Sequence, residues 1–453
     1  MPGGPVLIQC VYNRRDDAVK SKGGESMAAG TMGSHSQRPT EWAYAAISER
    51  LAARMGRLGT ETAFEVLARA KALEAQGKHI IHLQIGEPDF ETPDHVVQAG
   101  VDALRRGETH YTPSPGTTAL RQAIVEEMRQ TRGLDVSLDQ VVVTPGAKPI
   151  MFFALLALID GGDEVIYPNP GFPIYESMIR YSGGTPVPVA LPEDLAFRLD
   201  VEGLRRAVTK RTKMIIINSP ANPTGGVLEL ADMQAIAEVA LEHDLLVFAD
   251  EIYSRLIYEG EHHSIATLPG MAERTILLDG FSKTYAMTGW RLGYGVMPAD
   301  LATHISRLMT NSNSCTAAFT QTAGIAALTG DQTPVQTMLA EFRRRREVIV
   351  AGLNALPGVR CAMPHGAFYA FPNIQGTGMG SQELANRLLD EAGVATLSGT
   401  SFGAWGEGYL RLSYANSIEN IQKALSRIER FLSAQAKNPK IVANNLDRAE
   451  RER

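Results

Sequence analysis

Met214-Ile215-Ile216-Ile217-Asn218, Leu245-Leu246-Val247-Phe248-Ala249-Asp250 and Thr275-Ile276-Leu277-Leu278-Asp279 are three short apolar runs, each closing on a polar residue. A Pro-rich turn and a helix-spaced segment from about Leu230 to His243 separate the first two. Strand-length runs without polar alternation are buried on both faces, the mark of a parallel sheet covered by helices. The same unit extends towards the N-terminus. Val141 to Thr144 reads as a strand, Pro145-Gly146-Ala147 as a turn, the segment through Ile159 as a buried helix and Glu164 to Tyr167 as the next strand. In such sheets ligands sit at the carboxyl ends of the strands. That is where Asp250 stands, and Ser282-Lys283 follows the third run.

Outside this unit the pattern changes. Phe64, Leu67, Ala68 and Leu73 have helical spacing within Glu61 to Gln76. His79 to Ile85 alternates like a strand and enters the turn Gly86-Glu87-Pro88-Asp89-Phe90. After Ala340 comes a long helix carrying Arg343 to Arg346, read as a solvated basic face. Then follow a strand over Phe368 to Phe371, a helix over Ser381 to Leu389, a strand over Tyr409 to Ser413 and a last helix from about Ile418 to Leu432. The expected division is a large domain over 95–340 and a smaller α+β domain from 56–94 with 341–433. Residues 1–45, rich in Gly and Ser, read as a disordered extension, and 434–453 as a loose polar tail.

The chain has 453 residues and a formal charge of -6, which gives no nucleic-acid surface. The longest apolar run, Met151 to Ile159, is far short of the roughly 20 residues a bilayer needs. Cys10, Cys315 and Cys361 form no C-x-x-C pair, so neither a disulfide framework nor a metal site is expected, and the cytoplasm is the expected compartment.

Four segments carry chemistry together: Asn218-Ser219-Pro220-Ala221-Asn222-Pro223-Thr224-Gly225, Asp250-Glu251-Ile252-Tyr253, Ser282-Lys283 with Gly289-Trp290-Arg291, and Leu410-Arg411-Leu412-Ser413. With the Gly86 turn, their order and spacing resemble the class I and II aminotransferases, over about residues 56 to 432. The aspartate-using branch is the most similar. The resemblance implies fold type I, with a mostly parallel seven-stranded sheet between helices plus the smaller α+β domain. It also implies pyridoxal 5′-phosphate as cofactor and a homodimer with shared active sites.

By the same resemblance Lys283 is the Schiff-base lysine and proton shuttle. Asp250 pairs with the pyridine nitrogen, and Tyr253 and Asn222 reach the ring's 3′ oxygen. Gly146, Ala147 and Lys148 at a helix start, with Ser282 and Arg291, form the phosphate site. Phe172 covers the ring, although the family commonly has Trp or Tyr there. Arg411 and Gly86 take the substrate α-carboxylate, with Asn222 beside them, and Tyr111 crosses to the neighbouring subunit's phosphate. The substrates are an amino acid and a 2-oxo acid such as 2-oxoglutarate. Lys148 points to an aspartate-like donor through its distal carboxylate. A carboxylate at Glu61 would instead suit a neutral, basic or aromatic one. Lyases of the same fold keep equivalents of Lys283, Asp250 and Arg411, so these residues alone leave that alternative open. His262-His263 lies in a loop without an acid at metal spacing.

Overall fold

The computed structural model describes residues 50–436. The extension expected over 1–45 and the tail beyond Ala436 lie outside these residues. From Ala52 onward the described chain is one compact unit.

Twelve strands are named in chain order. β1 is Ile81–His82, β2 Val141–Thr144, β3 Glu164–Asn169, β4 Thr185–Ala190, β5 Thr212–Asn218 and β6 Leu246–Asp250. β7 is Thr275–Gly280, β8 Gly293–Val296, β9 Tyr369–Ala370, β10 Val394–Ala395, β11 Leu397–Ser398 and β12 Leu410–Ser413. Seven of them form one sheet in the order β2-β8-β7-β6-β5-β3-β4. All neighbours pair in parallel except β8, which runs antiparallel to both β2 and β7. The three apolar runs are β5, β6 and β7, adjacent in the centre and almost wholly buried. Fully buried strands need cover on both faces. Separate apolar clusters lie against them, one built with Met214, Ile216 and Phe248 and another with Ile215, Ile217 and Val247. The alternation of side chains along a strand produces this split.

Two strands of the large sheet were not read from sequence. β4 carries Pro186 and Pro188, residues that demote a strand, and it forms the sheet edge, where a missing donor is tolerated. β8 is Gly293-Tyr294-Gly295-Val296, poor in strand formers. A Cβ on Gly293 would fall 2.3 Å from Ala147 N, so this strand can approach the turn after β2 only as glycine.

The segments at the two chain ends combine. β1 pairs in parallel with β10, and β9, β12 and β11 form a small antiparallel sheet. The strand expected over His79 to Ile85 is only two residues long. Only half of the basic run Arg343 to Arg346 is a solvated face, since Arg343 and Arg344 alone are exposed. Arg345 and Arg346 are buried in helix Thr333–Asn354, ion-paired to Asp89 and Glu259 and stacked on Phe90 and Tyr258. Four consecutive residues exceed one helical turn, so part of any such run must face inward when the helix is packed.

Candidate active site

The carboxyl ends of β5, β6 and β7 open into a cavity of about 490 Å³. Gly86, Ala147, Lys148, Phe172, Asn222, Asp250, Tyr253, Ser282, Lys283, Arg291 and Arg411 all line it. Eleven expected residues, spread over more than three hundred positions of sequence, thus meet in one place.

Lys283 leaves β7 in the short helix Phe281–Thr284. Its Nζ donates to the Gly86 carbonyl at 2.6 Å and stands 5.9 Å from the Phe368 ring centre. Burial pushes the amine down to about 8, and the nearby cations Arg411 and Lys148 push the same way against Glu87 and Glu61. A lysine held near 8 is partly free base at neutral pH, as nucleophilic and proton-transfer chemistry requires.

Asp250 closes β6 and is buried. Tyr175 donates to its Oδ2 at 2.6 Å, and the Ile252 N–H donates to Oδ1 at 3.3 Å. Burial raises the carboxyl to about 6 despite those two bonds. Asn218 donates its amide to the Asp250 carbonyl at 3.0 Å and accepts the Asn222 N–H at 2.8 Å, tying the turn after β5 to the end of β6. The X-Pro bonds at Asn169-Pro170 and Asn222-Pro223 are cis, as their tight turns suggest, and Ser219-Pro220 is cis as well.

The turn after β2 brings a guanidinium to a helix start, a combination able to bind an anion. Gly146 has a positive φ of 82°, and a Cβ there would fall 2.0 Å from an Arg291 Nη2. The glycine therefore admits the guanidinium to the start of helix Lys148–Leu158, whose first N–H groups have no intrahelical partner. Arg291 donates to the Thr288 carbonyl at 2.9 Å, which fixes its direction.

Arg411 on β12 is buried, with Tyr369 and Phe402 ring centres at 4.6 and 4.9 Å. It donates to Asn222 Oδ1 at 3.2 Å and to the Gln84 carbonyl, while its Nε finds no acceptor. No carboxylate among the described residues lies within ion-pair distance of it. At the mouth Lys148 is ion-paired with Glu61 and stands 5.4 Å from the Phe172 ring centre. Tyr111 is 89% exposed and does not line this cavity.

Sequence reading passed over Tyr175 and Tyr369. Tyr175 follows Phe172 on helix Ile174–Ser182 and packs edge-on to it at 5.6 Å. Tyr369 Oη lies 2.7 Å from Tyr253 Oη. Their partners stand 75 and 116 residues away, so local spacing gave no signal. His262, set aside as a ligand, bonds through Nε2 to Glu251 at 2.9 Å behind the site.

The sequence pattern of the family "Aminotransferase class I and II" matches residues 78–428. An aspartate aminotransferase of Geobacillus stearothermophilus is 40% identical over 394 residues, 85% of this chain and all of that one. An aromatic-amino-acid aminotransferase of Thermococcus litoralis is 40% identical, covering 79% of this chain and 93% of its own. Among solved structures, the aspartate aminotransferase of Thermus thermophilus with maleate superposes with a TM-score of 0.81 at 39% identity. It covers 84% of this chain and 99% of that one. The chain belongs to the class I and II aminotransferases and is a pyridoxal-phosphate-dependent transaminase.

Proposed function

We propose that this transaminase takes its amino group from an aspartate-like donor and delivers it to a 2-oxo acid such as 2-oxoglutarate, with Arg411 binding the α-carboxylate and Lys148 the distal one. The carrying observation is Arg411, a buried guanidinium with no carboxylate partner among the described residues and an unused Nε, in the cavity that holds Lys283. A buried charge left unpaired is costly, and a substrate carboxylate relieves it with a bidentate bond.

The residues present fit the cofactor. Ser282, Arg291 and the helix start around Gly146, Ala147 and Lys148 would hold its phosphate. Phe172 would cover the ring, and Asn222 and Tyr253 would hold its 3′ oxygen. Asp250, a buried carboxyl raised to about 6, gains most from a cationic N–H partner, which the ring nitrogen supplies. Pyridoxal phosphate supplies an aldehyde for the donor's amino group and an electron-accepting ring that labilises the Cα proton. Lys283 then takes and returns that proton at Nζ, while Arg411 and Gly86 keep the donor's carboxylate in place. The 2-oxo acid enters through the same Arg411, giving a ping-pong sequence. Residues 56–94 and 341–433 form the small domain that brings Gly86 and Arg411 to the large domain's Lys283. Tyr111, exposed in the single chain, reaches the phosphate of a second copy in a homodimer. The cytoplasm is the proposed compartment, and no helix among the described residues is long and apolar enough to cross a membrane.

One observation favours a second donor class. The Lys148–Glu61 pair neutralises the mouth, and Phe64, Phe172 and Phe402 line the same cavity. Left intact, that pair admits a neutral or aromatic side chain. The test is kcat/KM for aspartate, glutamate, alanine and phenylalanine, each with 2-oxoglutarate. Aspartate and glutamate should exceed alanine by at least tenfold. A leading phenylalanine would install the second reading.

A further inference from the structure

Tyr369 touches three residues already placed in the site, yet has no role so far. It lies on β9, fully buried, and its backbone pairs with Ser413, two residues beyond Arg411. Its hydroxyl is 2.7 Å from that of Tyr253. The Arg411 guanidinium lies 4.6 Å from its ring centre. A Cβ on Gly86 would fall 2.2 Å from its hydroxyl, so Gly86 makes the room that this hydroxyl occupies. The Gly86 carbonyl in turn receives the Lys283 amine.

A hydroxyl has one proton to give. Tyr253 cannot donate both to Tyr369 and to an oxygen of the cofactor. We propose that Tyr369 is a positioning residue that donates to Tyr253 and so turns the Tyr253 proton towards the cofactor's 3′ oxygen. This deepens the reading of the site given above and rests on Tyr253 facing that oxygen. The two hydroxyls then form a chain in which the first bond polarises and strengthens the second. Burial raises both phenols above their ordinary range, Arg411 opposing it at each, so both remain protonated donors near neutrality. The charged groups facing the pair are Arg411 from β12, Asp250 from β6, and Glu61 from the N-terminal segment. Lys283, from the end of β7, lines the same cavity.

The bond from Tyr253 withdraws electron density from the 3′ oxygen. That weakens the oxygen's hold on the proton of the nitrogen shared by Lys283 and the cofactor. The visible absorbance of the holoenzyme titrates with this proton and reads the chain without any turnover. Tyr369→Phe keeps the ring against Arg411 and removes only the donor. Its spectral midpoint should move up by about 0.3–1 pH unit, the equivalent of one modest hydrogen bond. Tyr253→Phe should move it further up, and the double variant should match Tyr253→Phe alone. Thermal unfolding of each holoenzyme verifies that the fold is kept. A shift in Tyr253→Phe with none in Tyr369→Phe overturns the proposal and leaves the role of Tyr253 standing. No shift in either overturns the role of Tyr253 and the proposal with it. Additive shifts in the double variant mean that Tyr369 acts independently of Tyr253, and they overturn the proposal too.

Discussion

Behind the end of β6, the side chains of Arg132, Glu251 and Asp279 are 1%, 4% and 7% exposed, whereas at the pocket mouth those of Lys148 and Glu61 are 49% and 17% exposed. Both are ion pairs, and both lie within one or two residues of the chemistry. Arg132 ends helix Thr118–Arg132, where its charge also suits the helix dipole. It bonds to Glu251 at 2.7 Å and to Asp279, while Ser264 and His262 complete Glu251 at 2.6 and 2.9 Å. Arg132, Glu251 and Asp279 each have fixed charged partners there. At the mouth, water competes for both charges, so the pair can be exchanged at little cost. The molecule thus places costly, permanent electrostatics beneath Asp250 and inexpensive, replaceable electrostatics where different substrates enter.

Breaking the rear network should have the largest effect. Arg132→Met takes the guanidinium from two buried carboxylates, leaving Glu251 to His262 and Ser264 and Asp279 with no cation, and denaturant unfolding should show a loss of about 3–5 kcal/mol. A loss below about 1 kcal/mol would erase the contrast between the two regions.

The rear network should also be visible in acid. Burial opposes the Glu251 charge, yet His262 and Arg132 hold its pKa down to about 2 from 4.5. A depressed carboxyl stabilises the fold above its unfolded pKa and loses that contribution as pH falls through the folded one. The stability advantage of wild type over Glu251→Gln should therefore be full above pH 4.5, at roughly 3 kcal/mol or less, and shrink towards pH 2. An advantage unchanged between pH 6 and 3 would mean that Glu251 is not held by its partners.

At the mouth the effects should fall on substrates. Lys148→Ala should lower kcat/KM for aspartate and glutamate by roughly 2–3 kcal/mol of transition-state stabilisation and change alanine far less. Equal losses across all donors would reassign Lys148 to cofactor support. Glu61→Gln should give the smallest change. Unfolding free energy should stay within about 0.5 kcal/mol, as for an exposed pair, while kcat/KM for dicarboxylates rises a few-fold because Lys148 no longer has to be released. A fall in dicarboxylate activity would show that Glu61 orients Lys148 rather than competing for it.

The parts of this site that could be read from sequence share one property. Asp250, Lys283 and Gly146 each follow a recognisable strand, so a local pattern places them at the sheet's carboxyl edge. Asn222 and Arg411 came from motif spacing. Tyr175 and Tyr369 could not be read, because each acts through a partner that only the fold brings near. The strands β4 and β8 escaped for a different reason. One is stabilised by its edge position despite two prolines, the other by close packing that glycine alone permits. Strand propensity is silent on both. The buried face of Arg345 and Arg346 is a similar case, since composition cannot tell which side of a helix meets its neighbour.

The hydrogen bond from Arg411 to the Gln84 carbonyl joins residues 327 positions apart. On a ribosome adding about 5–20 residues per second, Gln84 waits roughly 15–65 s for its partner to be made. For the last 128 of those positions, roughly 6–26 s, the nascent chain already contains β7 and Lys283 but no arginine to receive a carboxylate. Substrate recognition is therefore among the last properties the protein acquires during its synthesis, and a chain that stops short of β12 never acquires it.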